Sequence, residues 1–153
     1  MTKLLDFEQL SNHETPEESP GFLLWRVSTL WRRKIELVLK TLDLTHPQFV
    51  ILACVGWLTR TGAMVNQLDI SRQAGLDPNT TSQILRGLQA KGLVHRARSR
   101  DERSKHPTLT ETGAKKLSEA LPAVEQADAE FFAILEPIDP KFLENLRKLS
   151  VTS

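Results

Sequence analysis

The chain has one cysteine, Cys54, so it cannot build an intramolecular disulfide framework, which suits a reducing compartment. It has no long hydrophobic run: the longest, residues 49–58, is half of the roughly 20 residues a spanning helix needs. Residues 1–20 are polar and acidic, unlike a secretory leader. These features lead us to expect a cytoplasmic protein with no membrane partner. Its histidines, His13, His46, His95 and His106, are scattered without ligand spacing or a cysteine cluster, so no metal site is expected. There is no glycine-rich phosphate loop and no recognisable nucleophile context, so neither an enzyme nor a cofactor is expected. A net charge of +1 excludes a uniformly basic coat.

What is present is ordinary globular material, 153 residues with 40% hydrophobic and 25% charged composition, enough for one domain with a substantial core. Its basic charge is gathered in one place. Between Pro78 and His106 stand Arg86, Lys91, Arg96, Arg98, Arg100, Arg103 and Lys105 against Asp101 and Glu102, a balance of +5 that leaves −4 on the rest. That stretch begins with a helix carrying its own start and stop signals: Asp77 as cap, Pro78 in the first turn and Gly92 as a left-handed stop. At about 100° per residue, Thr81, Ile84, Leu85 and Leu88 share one side of it. Asn79, Gln83, Arg86 and Ala90 share the other, with Ser82 at its margin. A slim polar helix face beside a basic cluster points to nucleic acid.

Around this stretch the chain alternates helical patterns with caps. Residues 1–19 have few apolar anchors and read as a mobile or loosely docked arm. From Gly21 to Leu42, apolar residues recur at helical spacing around too much of the circumference for one shallow contact. Thr45-His46-Pro47-Gln48 has the form of a capping box opening a helix through Arg60. Residues 64–66 have the character of a short strand, Leu68 to Ala74 of a brief helix stopped by Gly75, and the turn into the Asp77 helix completes a helix-turn-helix. Leu93 to Arg98 and Pro107 to Thr110 read as two strands of a hairpin, the second limited to an edge or a start by Pro107. A long helix follows Thr110, with a kink expected at Pro122, and Asp139-Pro140 opens a last amphipathic helix.

The helix-turn-helix from about Leu68 to Lys91, the Lys91-Gly92-Leu93-Val94 exit, the Asp101-x-Arg103 pair and the Leu109-Thr110-x-x-Gly113 step, in this order and spacing, resemble the MarR family of transcriptional regulators. The resemblance implies a mainly α fold with a small β wing: a winged helix-turn-helix lobe at 45–113, and dimerisation helices at 20–44 and 114–153 of a single domain spanning 20–153. It implies a homodimeric, mostly repressing, sequence-specific regulator that binds double-stranded DNA and is released by a small aromatic effector. On that reading Asn79, Thr80, Thr81, Ser82, Gln83 and Arg86 supply major-groove and flanking phosphate contacts. Arg98, Arg100, Arg103 and Lys105 form the basic wing, with Arg103 in the minor groove and Asp101 orienting the wing arginines. Trp25, Trp31 and Trp57 are the candidates to stack on an effector between the dimerisation helices and the DNA-binding lobe. Gln83 stands where the family often has a basic residue, and Gly87 interrupts the recognition helix at a cost of roughly 1 kcal/mol relative to Ala. Cys54 reads as a buried structural thiol, because the family's peroxide sensors carry their cysteine near the start of the first long helix. The alternative to a DNA-binding regulator is a winged helix used for protein–protein contact with its basic wing solvated.

Overall fold

Side-chain caps decide where the helices begin. Ser19, Thr45, Asn66, Asp77, Thr110 and Asp139 each hold an extended backbone conformation and accept a hydrogen bond from a main-chain N–H two or three residues ahead. At Thr45 and Asn66 the capping box is complete, with Gln48 and Asp69 reaching back to the cap's own N–H. The computed structural model describes residues 3–97 and 105–151. In chain order these form α1 (Phe7–Leu10), α2 (Pro20–Lys40), α3 (His46–Thr59), α4 (Gln67–Ala74), α5 (Pro78–Ala90), β1 (Val94–Arg96), β2 (Pro107–Leu109), α6 (Glu111–Phe132) and α7 (Pro140–Ser150). The expected architecture, mainly helical with a small β wing, is the one found.

The core gathers around α3, whose Ile51, Leu52 and Val55 are fully buried. They meet Ile35 and Leu39 of α2, Ile70 of α4, Leu85 and Leu88 of α5, and Ala120, Val124 and Ala127 of α6. Gly75 (φ +69°) and Gly92 (φ +73°) end α4 and α5 in the left-handed region that residues with a Cβ avoid. The wing is an antiparallel pair in the register Val94↔Leu109, His95↔Thr108 and Arg96↔Pro107.

One local expectation is corrected. Residues 64–66 form no strand, because the Asn66 N–H, which a ladder would need, is taken by Asp69 Oδ2 at 3.0 Å to start α4. Helix α6 is continuous through Pro122 as far as Phe132. Helix α2 buries only Ile35 and Leu39, both in its C-terminal half; Phe22, Leu23, Leu24, Trp25, Val27 and Leu30 of its N-terminal half are exposed. Helix α7 has no buried residue and exposes Leu143, Leu146 and Leu149. The segment preceding α2 lies against it through Glu17 and Arg26, 3.4 Å apart, while Leu4, Leu5, Phe7 and Leu10 remain in solvent. Among the described residues no helix is long and apolar enough to cross a membrane.

Candidate nucleic-acid interface

Helix α5 is held from behind. Thr81, Leu85 and Leu88 are fully buried, and the Asp77 cap accepts from the Thr80 N–H at 2.9 Å and from the Thr80 hydroxyl. Those two bonds, the hydroxyl's first, hold the Asp77 carboxyl below the usual carboxylate range and so favour the charged form of the cap. Asn79, Gln83 and Arg86 are exposed on the opposite side, and Thr80 is half-buried with its hydroxyl proton directed to Asp77. Thr81 and Ser82 are buried instead, which takes both off the outward face. The Thr81 hydroxyl donates to the Asp77 carbonyl at 3.0 Å, closing the first turn of the helix rather than reaching outward. Ser82 is 9% exposed, at a position the wheel puts at the margin of the outward face.

The recognition helix is tied at its far end as well. Lys91 Nζ donates to the Asp43 carbonyl and, at 3.0 Å, to Gln48 Oε1, linking the exit of α5 to the α2–α3 connection. Asp43 itself holds a positive φ of 54°. A Cβ on Gly87 would stand 3.4 Å from Gln48 Nε2, an ordinary contact with the end of a flexible side chain.

Arg98, Arg100, Asp101 and Arg103, the wing-tip candidates, lie outside the described residues. Lys105 is half-buried, two residues ahead of β2. Arg96 is not part of the solvated charge at all. It is 8% exposed, its Nε donates to Gln89 Oε1 at 2.8 Å, and its Nη1 donates to Gln67 Oε1 at 2.7 Å. Counting charge along the sequence missed this role. The signal was the strand alternation, which puts Arg96 on the same buried face as Val94 and leaves His95 in solvent.

The three tryptophans occupy different settings. Trp31 of α2 donates from Nε1 to Asp128 Oδ1 of α6 at 2.7 Å and meets the His46 ring edge-on at 5.0 Å, so it joins α2, α3 and α6. Burial pushes His46 below its ordinary value; Arg32 adds to this, while Glu36, more strongly than Arg32, and Asp128 oppose it. Trp25 and Trp57 are 69% and 56% exposed, and Trp57 carries the Arg60 guanidinium 3.5 Å from its ring centre. A cavity of about 280 Å3 between the end of α3 and β2, lined by Thr59, Met64, Val65, His106 and Leu109 among others, contains none of the three. Cys54 is half-buried, and burial raises its thiol pKa, the opposite of what a reactive thiolate needs.

A sequence model described as the MarR family matches residues 44–105, the span from the start of α3 to the wing. Over 140 residues the chain is 36% identical to the HTH-type transcriptional regulator YdcH of Bacillus subtilis, covering 91% of this chain and 95% of that protein. It is 33% identical over 131 residues to the HTH-type transcriptional repressor Rv2887 of Mycobacterium tuberculosis, covering 84% and 91% respectively. The structure of Rv2887 in complex with DNA matches with a TM-score of 0.63 at 30% identity, covering 86% of this chain and 97% of that one. Its complex with salicylic acid matches with a TM-score of 0.61 at 32% identity, covering 86% and 96%. The polar face of α5, the two-stranded wing and relatives matched along nearly their whole length lead to one identification: the chain belongs to the MarR family of DNA-binding transcriptional regulators.

Proposed function

We propose that this chain is a cytoplasmic, homodimeric transcriptional repressor that binds a pseudo-palindromic duplex and is released by a small aromatic molecule. The observation that carries the DNA-binding part is the outward face of α5, where Asn79, Gln83 and Arg86 are exposed on a helix fixed at both ends by Asp77 and Lys91. Gln suits adenine and Arg suits guanine by bidentate geometry in the major groove. Arg98, Arg100 and Arg103 then act in the flanking minor groove, with Asp101 orienting them.

The dimer follows from the apolar residues that α2 and α7 leave in solvent, among them Leu23, Leu24, Val27, Leu143, Leu146 and Leu149. Repression and release rest on likeness: the relative Rv2887 is named a repressor and has been seen with DNA and with salicylic acid. Trp31, at the junction of α2, α3 and α6, is the tryptophan placed to sense a ligand that would separate those helices.

Selection from a pool of random duplexes tests the reading. It should enrich two inverted half-sites about one helical turn apart, bound by one dimer. A single half-site, or no enrichment, would reject it.

A further inference from the structure

We infer that Arg96 is a positioning residue for DNA recognition: its buried guanidinium sets the direction in which the wing leaves the helix-turn-helix. This rests on the proposed DNA-binding function and names a residue within it that meets no DNA. One guanidinium joins three elements: Arg96 on β1, Gln67 at the start of α4 and Gln89 near the end of α5. Helices α4 and α5 are the two halves of the helix-turn-helix, and β1 is the strand from which the wing departs. The guanidinium is planar and its donors are fixed in a fork, so satisfying two amide oxygens at 2.8 and 2.7 Å fixes the position of β1 relative to both helices.

The backbone leaves this end of the strand pair in need of such a tie. Thr110 N–H donates to the Leu93 carbonyl at 3.1 Å, so alternation along an antiparallel ladder makes His95–Thr108 the next bonded pair and Arg96–Pro107 an unbonded one. That placement tolerates a proline, which has no N–H to give, and it leaves the outer end of β1 to its side chains. Gln67 is itself buried, at 6% exposure, so its amide is held in place to receive the arginine. A buried cation that served only to fill space would be replaced by an apolar side chain at little loss; here Gln67 and Gln89 belong to the two elements whose spacing from the wing decides whether groove and flank are met together.

The test compares Arg96→Met, which keeps the stem and loses the fork, and Arg96→Lys, which keeps the charge but cannot serve both amides. Each is assayed as full-length protein on the duplex selected by the wild type, with core bases varied in one series and A·T or G·C flanks in another. Dimerisation and thermal midpoint are measured alongside. The expected result is a loss of ten-fold or more in affinity in both variants, with flank preference abolished and core-base preference retained. A purely structural role would lower the midpoint and reduce both preferences together, and that result overturns the inference. Unchanged flank preference in folded Arg96→Met overturns it as well. Should Arg96→Met not fold, Gln89→Leu, at an exposed position, removes the tie to α5; it should weaken flank preference, and full retention overturns the inference. A wild type that selects no duplex overturns the proposed function itself, which separates that failure from this one.

Discussion

Gly113 of α6 lies directly against the carbonyl of Leu93: a Cβ at position 113 would stand 1.8 Å from that oxygen and 2.8 Å from its carbon. Both atoms belong to backbone, which cannot swing aside. The same junction carries the Thr110 hydroxyl donating to the Gly92 carbonyl at 2.6 Å and the Thr110 N–H donating to Leu93, so α6 starts on the exit of the recognition helix. Gly113→Ala is therefore expected to cost about 3 kcal/mol or more, at the top of the range for overpacked sites. Denaturant unfolding checks this, and a midpoint equal to wild type would contradict the close approach.

That contact explains why so much was legible in sequence. The Leu109-Thr110-x-x-Gly113 spacing encodes a cap and a close approach, and Asp77-Pro78, Gly75 and Gly92 encode helix ends through local backbone preference. The inner and outer sides of α5 followed from helical periodicity. What was not legible depends on partners distant in the chain. Arg96 looked like one more surface charge because Gln67 lies 29 residues away, and Trp31 looked interchangeable with Trp25 and Trp57 because Asp128 lies 97 residues away.

His46 should make stability fall on the acid side of neutrality. Burial lowers its folded-state value, so between the ordinary value near 6.5 and the lower folded one the unfolded chain binds the extra proton. The neutral ring's contribution is complete above about pH 6.5 and is lost as pH falls through the folded-state value. Thermal midpoints compared between wild type and His46→Gln should diverge least at the acid end. Parallel curves would show that His46 titrates alike in both states.

Trp31 should report effector binding. A ligand loosens DNA binding only by preferring the conformation in which the recognition helices are wrongly spaced. Salicylate titrated against the protein should change tryptophan fluorescence and weaken DNA affinity with the same midpoint, and Trp31→Phe, which loses the bond to Asp128, should shift that midpoint. A fluorescence change with no change in DNA affinity would break the coupling.

Thr81 and Gln83 are neighbours with opposite predicted effects. Thr81→Val removes a buried hydroxyl bound to the Asp77 carbonyl and should cost about 1 kcal/mol of stability without altering base preference. Gln83→Ala, at an exposed position, should leave stability unchanged and relax preference at one base pair, where a good bidentate contact contributes about 1–3 kcal/mol. Unfolding curves and duplex competition on both variants check the pair, and the reverse pattern would mean that α5 presents a different face.

The central claim, that this chain reads duplex DNA through α5 and its basic wing, is tested most directly by the salt dependence of affinity for the selected duplex and for a scrambled one. Each phosphate neutralised should contribute about −0.9 to the slope of log affinity against log salt. The account predicts a steep linear fall for both duplexes, with the selected one bound more tightly throughout. A flat salt response, or equal affinity for the two duplexes at every salt concentration, would contradict it.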